Sequence, residues 1–234
     1  MTPTRSSPDE LPQGEEKVAA VRSMFDAIAP RYDLVNRVMT LRLDVGWRRA
    51  AVKSLRLERG SLVVDLAAGT GDLCRDLSGA GHVPIGIDLS WGMLAHARTD
   101  APLVQADALR LPLPDGAADG ATSGFALRNF VDLGLFFDEL GRVVRPAGRV
   151  ALLDVAEPDN RLLHWGHGFY FGRVVPKIGG LLSDAAAYRY LPQSVAYLPA
   201  PAPMLDRLRD AGFADVDRRL LTGGITQLIT GTRR

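Results

Sequence analysis

Short apolar runs set the rhythm in the middle of this chain, and three of them are followed by a helical pattern. Leu62–Ala67, His82–Leu89, Pro102–Ala106, Ala117–Phe125 and Arg149–Val155 read as strands. Helices are expected from Asp72, over Trp91–Arg98, and over Leu133–Val144, where Pro146 and Gly148 stop the pattern. Strands alternating with helices imply a parallel sheet with right-handed crossovers.

Upstream, Val18, Val21, Met24, Phe25 and Ile28 recur at helical spacing until Pro30. A second helix passes through Trp47 and Ala51 to Leu57. Residues 15–58 are therefore expected to form helices lying over a ligand site at the sheet. Met1–Gly14, with its prolines and serines, reads as a disordered tail. Past Glu157 the rhythm breaks into an aromatic-rich stretch, and residues 158–200 are the candidate substrate lid. A helix over Met204–Ala211 and strands over Phe213–Leu221 and Gly224–Gly231 follow. Gly223 and Gly224 suit a hairpin turn, so the last two strands are expected to be antiparallel.

Composition narrows the field. With 234 residues and 47% hydrophobic content, the expectation is a single domain over 15–234 with one substantial core. A net charge of +1 gives no electrostatic case for nucleic acid. The single cysteine, Cys74, rules out an internal disulfide framework and fits a reducing cytosol. The four histidines show no metal-ligand spacing beyond the weak pair His164 and His167, so no metal is expected. No apolar run reaches spanning length, and the first residues lack a secretory core. The expectation is a cytoplasmic protein with at most peripheral contact at the inner face of the membrane.

The chemistry centres on Val63-Val64-Asp65-Leu66-Ala67-Ala68-Gly69-Thr70-Gly71-Asp72. Here a strand runs into a two-glycine turn and then a helix, and glycine lets backbone approach a ligand closely. Asp88 and Asp107 close the next two strands, where open α/β sheets bind ligands, and an acid at the second strand commonly accepts ribose hydroxyls. A dinucleotide site wants a third glycine where Cys74 stands, and no Gly-Lys-Ser/Thr is present. S-adenosylmethionine fits better, its amino acid end near Asp65 and its adenine near Asp107 and Ala108.

Several segments together resemble the ubiquinone/menaquinone biosynthesis C-methyltransferases, closest to the demethylmenaquinone methyltransferases. Met24-Phe25-Asp26 through Arg31-Tyr32-Asp33-Leu34-Val35-Asn36 to Trp47 follows the N-terminal signature of that family. Asp65–Asp72 is close to its cofactor loop, and Leu127-Arg128-Asn129 matches its Gly-Leu-Arg-Asn core with Ala126 for glycine. Arg142–Arg149 resembles its second signature; Asp184, Tyr188–Leu191 and Leu221–Gly224 are also family-like. Departures are Asp44 in place of histidine, Gly124 in place of serine, Asp154-Val155-Ala156 for Glu-x-Ser, and Gln193 before Ser194. These bear on the particular acceptor.

The resemblance implies a class I S-adenosylmethionine-dependent methyltransferase, Rossmann-like, with a seven-stranded mainly parallel sheet and an antiparallel last strand. It implies methyl transfer to a ring carbon of a prenylated quinol, a small-molecule substrate. Aromatic carbon is a poor nucleophile until a neighbouring hydroxyl loses its proton, so the site needs a proton acceptor and donors to the phenolate. Arg128 and Asn129 are the expected stabilisers, with Tyr32 and Asp33 orienting the ring hydroxyl or relaying its proton. The expected cofactor set is Asp65, Ala67, Gly69, Thr70, Gly71, Asp88, Leu89, Met93, Asp107, Ala108 and Gly124. Trp165, Phe169, Phe171 and Leu181 are expected along the prenyl tail. A homodimer, a paralogue methylating carbon or oxygen of another aromatic metabolite, and a non-catalytic cofactor-binding scaffold subunit stay open at this point.

Overall fold

The computed structural model describes residues 13–156, 158 and 194–234. The expected tail, apart from Gln13 and Gly14, and nearly all of the expected lid lie outside the described residues.

Three helices precede the sheet: α1 (Gly14–Ile28), α2 (Tyr32–Met39) and α3 (Leu43–Leu55), with a tight turn at Ala29–Arg31 between the first two. Pro30 sits in that turn, where its missing N–H costs no helical bond. Strands and helices then alternate: β1 (Leu62–Leu66), α4 (Asp72–Ala80), β2 (Val83–Asp88), α5 (Trp91–Ala95), β3 (Leu103–Gln105), β4 (Ala118–Gly124), α6 (Leu133–Val143) and β5 (Val144–Val155). After a short turn at Val195–Tyr197 come α7 (Pro201–Asp210), β6 (Phe213–Leu221) and β7 (Thr226–Arg233).

The seven strands lie in the order β3-β2-β1-β4-β5-β7-β6. β1 to β5 pair in parallel, whereas β7 runs antiparallel to both β5 and β6. The order reverses between β1 and β4, and a crevice opens there at the carboxyl ends of the strands.

β1 is buried on both faces. Val64 and Leu66 join a cluster with Phe136, Phe137 and Leu140 of α6 and Met204 and Leu208 of α7. Val63 joins the opposite cluster with Trp47, Ala51 and Leu55 of α3 and Leu73 and Leu77 of α4. Two covered faces explain why this strand reads as an unbroken apolar run with one acid in it.

Two of the boundaries that differ from the sequence reading have a clear local reason. α5 stops at Ala95 rather than Arg98, because the Arg98 N–H turns back to donate to the Thr70 carbonyl at 3.0 Å. β5 begins at Val144, directly on α6, and passes Pro146 in a bulge where Ala147 takes φ +63°. β4, weak by composition, is a central strand: a Cβ on Gly120 would stand 2.7 Å from the Arg149 carbonyl oxygen. Small residues are what that position admits.

Candidate active site

The β1 turn is built from left-handed backbone. Ala67, Gly69 and Gly71 take φ +55°, +56° and +80°, and a Cβ on Gly71 would stand 2.6 Å from the Thr99 methyl. The turn is pinned from the next strand, because one Asp88 oxygen accepts the Gly69 N–H at 2.8 Å and the other accepts the Ser90 N–H at 2.7 Å. Burial holds the Asp88 carboxyl above the usual carboxylate range. Each oxygen keeps a lone pair, so a ligand hydroxyl can still be accepted.

Beneath the turn, Asp65 is buried, accepting from the Thr122 hydroxyl at 2.8 Å and from the Cys74 thiol at 3.6 Å. Burial pushes its carboxyl up to about 7 and lifts the Cys74 thiol well above its ordinary value. A carboxyl poised this way becomes a carboxylate when a cation arrives.

Above the crevice lies a cavity of about 840 Å³ including its mouth. Its floor is Ala67, Gly69, Asp88, Leu89, Met93, Asp107, Ala108 and Gly124, and Ile87, Ala106 and Leu109 add an apolar wall. Val18, Val21, Arg22 and Phe25 of α1 form the roof, and Tyr32, Phe125, Asn129 and Phe130 also line it. Buried apolar walls beside a ribose-competent acid and a closely approaching backbone turn suit an adenosyl group. Asp65 under that turn suits the ammonium of its amino acid end.

The chain matches the model of the ubiE/COQ5 methyltransferase family over residues 12–233. It belongs to that family. A Thermus thermophilus protein named demethylmenaquinone methyltransferase is 42% identical over 221 residues, covering 90% of this chain and 100% of the relative. A Syntrophotalea carbinolica protein named ubiquinone/menaquinone biosynthesis C-methyltransferase UbiE is 41% identical over 223 residues, covering 91% and 93%. Among solved structures, a Thermotoga maritima SAM-dependent methyltransferase, described as a possible histamine N-methyltransferase, superposes with a TM-score of 0.64 at 18% identity. That match covers 91% of this chain and 99% of the other. At such identity the likeness is one of fold.

Within this ubiE/COQ5 methyltransferase, the expected site residues divide into two groups. Tyr32, Asn129 and eight of the expected cofactor residues line the cavity; Asp33, Asp65, Thr70, Gly71 and Arg128 stand outside its lining. Asp33, on α2, accepts the hydroxyl proton of buried Thr70 and so fastens the helix to the cofactor turn. Tyr32 packs edge-on against Phe25, with ring centroids 6.0 Å apart. Burial raises its phenol, opposed by a hydrogen bond with Asn36 and by the nearby charge of Arg128. It therefore stands protonated and available as a donor.

Arg128, one of the two expected stabilisers, is buried and held from three sides. Its guanidinium pairs with Asp154, donates to the Phe125 carbonyl at 2.6 Å and reaches the Ser194 hydroxyl at 3.0 Å. It fixes the loop that carries Asn129. The resemblance already placed Arg128 and noted Asp154; their pairing became legible only in three dimensions.

Lys17 escaped the sequence reading, and Asp26 entered it only as part of the segment Met24-Phe25-Asp26, with no contact assigned. Lys17, on α1, is buried, and its ammonium donates to the carbonyls of Arg128 and Phe130, both at 3.0 Å, while lying 3.7 Å from the Tyr197 ring centroid. Asp26, one helix turn past Arg22, accepts the Ser90 hydroxyl at 2.5 Å and the Gly92 N–H at 2.8 Å. The roof helix is thus tied at both ends. Nothing in the pattern of α1 marks either one, since a lysine or aspartate on an amphipathic helix ordinarily faces water.

Proposed function

We propose that this enzyme methylates a ring carbon of a prenylated quinol, demethylmenaquinol, to give menaquinol. The observation that carries the reading is one cavity lined both by a glycine-turn cradle with acids and by aromatic Phe25, Tyr32, Phe125 and Phe130 with Asn129. The names of relatives 41–42% identical over at least nine-tenths of the chain support the same acceptor.

S-adenosylmethionine is the methyl donor, supplying when bound a methyl on a sulfonium centre for an electron-rich carbon to accept. Ala67 and Gly69 would hold its amino acid end, with Asp65 beneath the turn supplying the opposite charge and Gly71 shaping the turn, Asp88 its ribose, and Leu89, Met93, Asp107 and Ala108 its adenine; Gly124 would leave room beside it. The quinol must pass a hydroxyl proton to a water molecule so that charge spreads onto the ring. The protonated Tyr32 phenol and the Asn129 amide donate to that oxygen. One such oriented donor is typically worth about 3–4 kcal/mol of barrier. Arg128 acts as a positioning residue, setting Asn129 and lending its charge to the Tyr32 end. Among the described residues no helix is long and apolar enough to cross a membrane. A prenylated acceptor requires peripheral contact with a bilayer, at its cytoplasmic face.

Transfer of labelled methyl from S-adenosylmethionine to reduced demethylmenaquinone, beside a tailless naphthoquinol, tests the reading. Labelled menaquinone, reduced at least a hundredfold by Asn129→Ala, is the expected result. Tight cofactor binding with no transfer to either quinol would overturn the acceptor assignment.

A further inference from the structure

Helix α2 has two unlike faces. Asp33, Val35 and Met39 turn inward and are buried. On α2, Leu34 and Val38 turn outward at 56% and 38% exposure; past its end Leu41, in a left-handed turn, and Leu43, at the start of α3, add 74% and 42%. Four large apolar side chains exposed within ten residues, 34–43, form a candidate contact site.

The charges around them have one sign. Residues 31–43 include Arg31, Arg37 and Arg42, and their only acid, Asp33, is buried against Thr70. An outward apolar ridge bordered by guanidinium groups is the layout of an interfacial helix. Its leucines enter the headgroup region while its arginines meet anionic lipid.

We infer that the outer face of α2 together with the turn into α3, from Leu34 to Leu43, docks this enzyme onto an anionic bilayer. The inference rests on the proposed acceptor, whose prenyl tail resides in hydrocarbon. The same helix opens with Tyr32, which lines the cavity, so the docking face starts on an element that also lines the site.

Flotation with phosphatidylcholine vesicles, with and without phosphatidylglycerol, tests it. The wild-type chain should float with the mixed vesicles and be released by high salt. Leu34→Ser/Val38→Ser/Leu41→Ser should abolish flotation while keeping methyl transfer to a water-soluble, tailless quinol, which also certifies its fold. Arg37→Glu/Arg42→Glu should weaken binding at low salt by tenfold or more, at about fivefold for each lost arginine. The inference falls if the wild type does not float on mixed vesicles, or if the triple variant floats as well as wild type. It also falls if the ridge proves to be a dimer contact, seen as a wild-type dimer that the triple variant dissolves, with vesicle binding unchanged. A wild type that floats yet methylates no quinol leaves the docking face standing and removes the acceptor assignment. One that methylates soluble quinol without floating does the reverse.

Discussion

Asp154 grips Arg128 twice: one carboxylate oxygen takes the guanidinium, and the other accepts the Arg128 backbone N–H at 3.2 Å. Both side chains are buried, so neither charge has water to fall back on. Breaking such a pair from one side leaves a buried ion uncompensated, at about 3–5 kcal/mol. Asp154→Leu should therefore lower Tm by roughly 10 °C and reduce methyl transfer far more than cofactor affinity. The double variant Arg128→Met/Asp154→Leu should melt above the single one, because no unpaired charge remains. A thermal melt of the two variants side by side checks it; additive losses would deny the coupling.

Lys17 secures the roof helix to the loop around Asn129 through two carbonyls. Lys17→Met keeps the aliphatic stem and removes the donors, leaving both carbonyls unsatisfied at about 1–3 kcal/mol in total. The expected result is a lower Tm with faster release of S-adenosylmethionine, read by stopped-flow fluorescence. A dissociation rate equal to wild type would show that α1 does not hold the cofactor through this residue.

The Asp65 carboxyl sits near 7, against an ordinary value of 3.8. A raised value means the folded state keeps its proton where the unfolded chain has lost it. This group's contribution to the stability of the free protein is therefore largest below about pH 4 and is lost as pH rises toward 7, by at most about 4 kcal/mol. Binding of a cationic ligand demands the carboxylate, so affinity for S-adenosylmethionine should rise between pH 6 and 8, with proton release on binding. Calorimetry in buffers of different ionisation heat measures that proton, and Asp65→Asn should remove it. A flat pH profile in the wild type would sink the assignment.

Much of this was legible along the chain because the physics was local. The glycine turn, the strand-end acids and the alternation of strand and helix follow from backbone freedom and period, which need no neighbour. β4 was harder, since its Gly120 is dictated by the Arg149 carbonyl on the neighbouring strand and by the Leu57 side chain. Lys17 was illegible for the same reason. Its burial is a property of the Arg128–Phe130 loop more than a hundred residues away, and no periodicity along α1 encodes it. Arg128 was visible, but its engagement with Asp154 and Ser194 depends on residues brought together only by folding.

Ser123 lies between Leu66 and Leu152 in the sheet, fully buried, and its hydroxyl has no hydrogen-bond partner among the described residues. A buried hydroxyl left unpaired costs about 1–3 kcal/mol. Ser123→Ala should hence raise Tm by a few degrees, with cofactor affinity unchanged. A lower Tm, or a weakened affinity, would show that the hydroxyl is satisfied by something bound.

β7 lies between β5 and β6, although it is the last of the seven strands in chain order. During synthesis, then, β6 emerges before the strand that attaches it, and β5 waits with one edge open. The sheet closes only when Thr226–Arg233 has left the ribosome, so a message truncated ahead of Thr226 yields a chain with an exposed edge and a detached strand. Such fragments would go to proteolysis or aggregation, and the final strand acts as the checkpoint for a finished fold.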